Sequence, residues 1–153
     1  MQQFQWVKQQ NGAIPIHALS EGRESDGQPL FIAYGEFKGG LHPGKAAPHL
    51  ADGGFALGWG GRAQRLNEYY VLCGDMNRAK WVDVQGGPAR LDGSVRPVEA
   101  GREQNGKPLY VARASVGNSL QLGKAGPHLA SGMSFAFGDG ERNEKNYQIL
   151  AYR

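Results

Sequence analysis

An internal duplication constrains this chain more than any other feature. Gly22-Arg23-Glu24-Ser25-Asp26-Gly27-Gln28-Pro29-Leu30 is answered by Gly101-Arg102-Glu103-Gln104-Asn105-Gly106-Lys107-Pro108-Leu109, 79 positions further on. Gly44-Lys45-Ala46-Ala47-Pro48-His49-Leu50-Ala51 is answered by Gly123-Lys124-Ala125-Gly126-Pro127-His128-Leu129-Ala130 at the same spacing. Trp6-Val7 and Trp81-Val82 open the copies; Tyr70-Val71-Leu72 and Tyr147-Gln148-Ile149-Leu150 close them, with small shifts. Self-similarity at a fixed period decides the architecture before any local reading does. The boundary is placed near Asn77–Lys80, giving a first repeat over 1–76 and a second over 77–153. A unit of about 75 residues lies near the lower limit for an independent core. The two copies are therefore expected to share a core, or to pack face to face about a pseudo-twofold axis.

Glycine supplies 24 of the 153 residues. It has no collagen period and falls between short apolar runs, as tight turns between many short strands require. Asp26-Gly27 and Asn105-Gly106 are dipeptides favoured in type I′ hairpins. No apolar series at helical period runs beyond two turns. The fold class is read as all-β, with about five or six short antiparallel strands per repeat.

The rest of the composition excludes more than it assigns. The net charge of +3 comes from dispersed basic residues, with no Lys/Arg block and no nucleic-acid-binding motif. Cys73 stands alone, so no intrachain disulfide forms, and its neighbours Val71 and Leu72 mark it as a small strand residue. No stretch reaches the roughly 20 apolar residues of a membrane-spanning helix. Met1–Trp6 shows neither the charged nor the apolar region of a signal peptide. These features predict a cytoplasmic protein or one released by a non-classical route.

Three polar features recur in both copies: the acids Glu24 and Glu103, the lysines Lys45 and Lys124, and the histidines His49 and His128. Each lysine follows a glycine, in a predicted turn that either leaves it solvated or presents its ammonium to a ligand. Each acid either pairs with its neighbour (Arg23 or Arg102) or accepts hydrogen bonds from two adjacent sugar hydroxyls. The two Pro-His-Leu histidines are read as supporting residues that satisfy a backbone group beside the lysine. Trp59, Tyr34, Tyr69, Tyr70, Tyr110 and Tyr147 divide between core and sugar-packing roles that sequence does not separate.

Catalytic and metal readings fare poorly. There is no G-x-S-x-G or H-E-x-x-H motif. His17, His42, His49 and His128 lack metal-ligand spacing and cysteine partners, so neither metal nor other cofactor is expected. A glycosidase needs two carboxylates in different environments, whereas a repeat places Glu24 and Glu103 in equivalent ones. The chain is read as a non-enzyme.

The order Trp-Val, G-R-E-x-D-G-x-P-L-F-I-A, L-x-P-G-K-x-x-P-H-L, glycine-rich corner and Y-Y-V-L resembles tandem DM9 repeats. The resemblance runs over Trp6–Leu72 and Trp81–Leu150. Similar proteins include small mannose-binding lectins of invertebrates and the lectin-like part of some fish toxins. The resemblance implies a β fold of two pseudo-symmetric halves, homodimers, a place in innate immunity, and calcium-independent recognition of mannose or mannose-containing glycans. It assigns sugar contact to Glu24 and Lys45 in one repeat and Glu103 and Lys124 in the other. This chain departs from the pattern in carrying glutamate where the lectins often carry aspartate. Gly40 and Ser119 stand where a second acid can occur, Leu122 replaces Pro43, and the corner acid Glu141 falls against Ala63 or Arg62. The competing expectation is a protein-interaction or structural β module without sugar binding.

Overall fold

The apolar alternation in Pro29–Phe37 and Pro108–Val116 builds the same nine-residue strand twice, with an identical sequence of buried and exposed positions. Leu30 and Ile32 point inward from the first, Leu109 and Val111 from the second. A computed structural model describes residues 4–153. The first three residues, on which part of the N-terminal reading rests, lie outside the described residues. The chain is all-β, as its repeats predict. The strands are β1 (Phe4–Gln10), β2 (Gly22–Arg23), β3 (Pro29–Phe37), β4 (Gly40–Ala46), β5 (Phe55–Trp59), β6 (Arg62–Leu66) and β7 (Glu68–Gly74). After a short 3-10 turn at Met76–Arg78 the series repeats. It runs through β8 (Ala79–Val84), β9 (Gly101–Arg102), β10 (Pro108–Val116), β11 (Ser119–Ala125), β12 (Met133–Phe137), β13 (Gly140–Glu144) and β14 (Tyr147–Tyr152).

Among the described residues all strand pairs are antiparallel, and the fourteen strands are hydrogen-bonded into one continuous sheet with β1 and β8 at its ends. In the first half β1 pairs with β7, β7 with β3, β3 with β4, and β5 with β6. The second half repeats this order. The halves then exchange short strands. β2 pairs with β11 through Arg23 and Leu120, and β9 pairs with β4 through Arg102 and Leu41. A third bridge joins β13 to β6 at Gly140 and Arg62. The core follows the exchange. One apolar cluster draws on both halves, with Leu19, Leu30, Ile32 and Leu72 against Val98, Val111, Leu122 and Leu150. Each half keeps a cluster of its own, around Phe55 and Tyr69 in one and Phe135 and Tyr147 in the other.

The repeated tryptophans seal this junction. Trp6 Nε1 donates to the Glu99 carbonyl at 3.1 Å, and Trp81 Nε1 to Glu21 Oε1 at 2.9 Å, each reaching into the opposite half. Tyr34 and Tyr70 belong to the same seam: Trp6 packs on Tyr34 at 4.5 Å, and Tyr34 stacks on Tyr70 at 5.1 Å. In the second half Arg113 takes the place of Tyr34, lying 4.1 Å over the Trp81 ring and bonding Gln148. The structure also corrects the closing register. Tyr69, not Tyr70, corresponds to Tyr147; both are buried, and their hydroxyls donate to the Ala13 and Gly87 carbonyls.

Two local expectations fail. Asp26-Gly27 and Asn105-Gly106 are not type I′ turns, since only the glycines have positive φ, 92° and 90°. Gly27 N bonds the Glu24 carbonyl and Glu24 N the Gln28 carbonyl, the pattern of a type I turn closed by a glycine bulge. Asp26 stays out of the left-handed region because its carboxylate accepts from Gln28 N and Nε2. The type I′ geometry falls instead at Lys38-Gly39, with φ of 51° and 77° between β3 and β4. The Gly-Lys pairs are likewise not turns but the interiors of β4 and β11. Glycine stands there because a neighbouring strand passes too close for a side chain. A Cβ on Gly44 would lie 2.3 Å from the Ala56 carbonyl, and one on Gly123 2.2 Å from that of Ser134.

The strand exchange depends on the same kind of close approach. A Cβ on Gly101 would lie 2.0 Å from the Leu41 carbonyl oxygen, on the exchanged partner strand. Gly101→Ala is expected to cost about 1–3 kcal/mol by overpacking, read in a thermal melt as a Tm lower by roughly 2–12 °C. An unchanged Tm would show that the crossing is looser than described.

Candidate functional site

The exchange of β2 and β9 carries each repeated acid across the molecule to the opposite half. Glu24 follows β2 and faces Gln121 on β11; Glu103 follows β9 and faces the side of β4 that holds His42. Gln121 and His42 occupy the same position of the repeat, so two related but unequal clusters result.

In the first cluster Glu24 Oε2 bonds His49 Nε2 at 2.9 Å, and Glu24 Oε1 accepts from Gln121 Nε2 at 3.1 Å. Lys45 Nζ donates to Gln121 Oε1 at 2.8 Å. Gln121 thus bridges acid and lysine, and its own Nε2 is steadied by Ser119 Oγ at 3.1 Å. Burial pushes the Glu24 carboxyl upward. The bonds from His49 and Gln121 and the Lys45 charge outweigh that effect and hold it below the usual carboxylate range. Lys45 is pulled below the usual ammonium range, first by burial and further by Arg65, against the opposing pull of Glu24. A cavity of about 200 Å³ opens here; Glu24, Lys45 and Arg65 line it, with Phe137 of the second half at its edge.

The second cluster has Glu103 Oε2 on His128 Nε2 at 2.9 Å and Lys124 Nζ on His42 Nδ1 at 2.9 Å. Burial and the Lys124 charge outweigh Glu103 and a bond to the Phe37 backbone, and push His42 down to about 4. The ring is therefore neutral at pH 7, and its Nδ1 accepts from the lysine. Lys124 is pushed down to about 8 by burial, partly opposed by Glu103 and Glu141. Glu141 accepts from Gly61 N at 2.8 Å and from Ser134 Oγ. Its strand register sets it opposite the repeat position of Ala63, so the first cluster has no such acid. His42 and Glu103 face a cleft of about 800 Å³, with Trp59 of the first half on its wall.

All six repeated polar residues thus fall into two clusters, each built from both halves. Both lysines are buried rather than solvated, at 6% and 3% exposure. The acids pair with His49 and His128 and not with Arg23 or Arg102, so the histidines satisfy carboxylates rather than backbone groups. The sequence does not place Gln121 and His42 beside the lysines because they differ between the copies; their shared offset from the lysines is the available signal. Gly40 cannot be an acid here, since a Cβ would lie 2.7 Å from the Arg102 carbonyl on β9. Cys73 lies in β7 with its thiol on the Val71 carbonyl, and burial raises its pKa, the opposite of what a nucleophile needs. Among the described residues no three His, Cys, Asp or Glu side chains gather as a metal site.

The DM9 repeat matches residues 1–53 and, overlapping them, 37–144. The chain belongs to the DM9 repeat family. Among solved structures, the nematode sperm cell motility protein MFP2B shares this DM9 chain's fold, with a TM-score of 0.68 at 16% identity over 97% of the DM9 chain. The DM9 chain spans 46% of that protein. A comparison with curated proteins found no match.

The two clusters should separate in acid. His42 holds its proton less tightly folded than unfolded, where its pKa is near 6.5. The unfolded chain therefore binds more protons between about pH 6.5 and 4, and stability falls as pH drops through that window. His42→Gln, which copies the other half, is expected to remove this contribution. Its Tm difference from wild type should become more positive from pH 7 to pH 4 and then level off. A difference that stays flat across that range would place His42 in a solvated setting.

Proposed function

We propose that this DM9 protein is a non-catalytic, calcium-independent lectin that binds mannose-type sugars through Glu24 and Lys45 at one site and Glu103 and Lys124 at the other. The observation that carries the reading is that a buried lysine beside a histidine-held carboxylate is built twice, at a cost to stability each time. Burying an ammonium is unfavourable unless its partners compensate, and the lowered pKa values of Lys45 and Lys124 show that here they do so incompletely. Two halves that have diverged at most surface positions both retain this arrangement. A carboxylate and an ammonium within one cluster can accept from one sugar hydroxyl and donate to another. An exposed aromatic stands at each site, Trp59 at one and Phe137 at the other, each 37% exposed and suited to the C–H face of a pyranose. Glu24 and Glu103 are each bonded to the histidine of their own repeat.

Two sites per chain suit multivalent binding, and a homodimer would double them again. The ends of the sheet at β1 and β8 are the edges through which a second copy could add. The second reading, a protein-interaction module, is favoured by the likeness to a motility protein and by an apolar cleft of about 530 Å³ beside β1. Titration calorimetry with mannose in EDTA discriminates the two. Wild type is expected to give binding heat. Lys45→Met/Lys124→Met should lose it, with affinity down at least tenfold, in a protein whose cooperative melt shows that it still folds, at a lower Tm because the acids lose their cationic neighbours. Binding unchanged in the double variant would remove the proposed contacts. A wild type silent to all mannosides would favour the interaction module.

A further inference from the structure

The two sites face differently sized spaces, and the difference traces to a few substitutions between the halves. The first cavity, of about 200 Å³, lies below the range of roughly 300–1,000 Å³ usual for small-molecule sites. Arg65 narrows it, held across the halves by Asp139 Oδ1 at 2.7 Å and the Gly138 carbonyl at 3.2 Å. The cleft at the second site, about 800 Å³, lies well inside that range. Lys38, His42 and Trp59 from the first half face Glu103, Asn105 and Lys107 from the second across it. At the corresponding positions of the other site stand Gly117, Gln121, Phe137, Glu24, Asp26 and Gln28. Only the second site is therefore flanked by two extra cations and an indole.

Trp59 is held rather than loose. Phe37 meets its ring edge-on at 5.4 Å, and a hydrogen bond from Gln64 Nε2 to the Trp59 carbonyl at 3.0 Å fixes the end of β5. Lys38 Nζ stands 5.8 Å from the indole centroid, near the outer limit of about 6 Å for a cation–π contact. The type I′ turn at Lys38-Gly39 places that side chain on the cleft wall, whereas Gly117 in the equivalent turn has no side chain to offer. A wide cleft with a preset aromatic on one wall and the acid–histidine pair on the other is shaped for a ligand longer than one ring.

We propose that the second site is an extended cleft for a chain of two or more neutral hexose units, with Trp59 stacking on the unit next to the one held by Glu103. The first site takes a single terminal unit. This rests on the lectin reading above and adds a specificity-determining residue to it. The test is calorimetric titration of wild type, Trp59→Ala and Phe137→Ala with methyl α-mannoside and with a panel of α-linked mannotrioses. Wild type is expected to bind at least one mannotriose about tenfold tighter than the monosaccharide. Trp59→Ala, a change at an exposed position, should bring that ratio to within about twofold while leaving methyl α-mannoside affinity at the first site unaltered. Phe137→Ala should weaken methyl α-mannoside at the first site and leave mannotriose affinity at the second unaltered. Equal affinities for mono- and trisaccharide in wild type, or a ratio unchanged in Trp59→Ala, would overturn the extended cleft and leave the lectin reading standing. No heat with any mannoside would overturn both.

Discussion

Two short backbone bridges, Arg23 to Leu120 and Arg102 to Leu41, hold the rest of the structure in place. Each half lends a two-residue strand to the other, and each loan ends at the repeated glutamate. Were β2 and β9 to pair only within their own halves, Glu24 would not meet Gln121, and Glu103 would not face the side of β4 that carries His42. The exchange requires strands to approach within a distance that forbids a Cβ at Gly22 and Gly101. The glycines of the G-R-E motif are thus set by the crossing itself and not by a turn.

The electrostatics follow from that crossing. Both lysines leave the surface and enter strands, where burial works against their charge. At the first cluster a neutral amide links lysine to acid, and Arg65 adds positive charge at the same cavity. At the second a histidine replaces the amide, Glu141 adds negative charge, and the cleft widens. Duplication supplied two equivalent frames, and divergence at Gln121/His42, Ala63/Glu141 and Gly117/Lys38 made them chemically different. Each lysine is bonded to a residue of the opposite half, which ties the integrity of the site to the packing of the two halves against each other.

Much of this was legible in the sequence, for physical reasons that also mark where reading stops. A repeat at constant offset exposes the pseudo-symmetry directly, and alternation in P-L-[FY]-[IV]-A exposes the strand and its inward face. The acids, lysines and histidines stood out because both copies kept them. Residues that differ between copies carried no such mark, so Gln121 went unseen and His42 was weighed only as a metal ligand, although both complete the clusters. The glycine before each lysine looked like turn chemistry, because sequence shows glycine but not whether it answers a positive φ or a close neighbour. Tyr69 and Tyr70 could not be told apart, since only the strand register decides which one enters the core. Trp59 was visible as an aromatic, but its place opposite Glu103 depends on the strand exchange, which local periodicity does not encode.

Each acid–lysine cluster, assembled from both halves, is proposed as a sugar site. A ¹H–¹⁵N correlation titration of the protein with methyl α-mannoside in EDTA tests it most directly. Amide shifts are expected in two groups, one around Glu24, Lys45 and Gln121 and the other around Glu103, Lys124 and His42, each spanning both halves. Shifts confined to one half, or gathered around the apolar cleft beside β1, would contradict it.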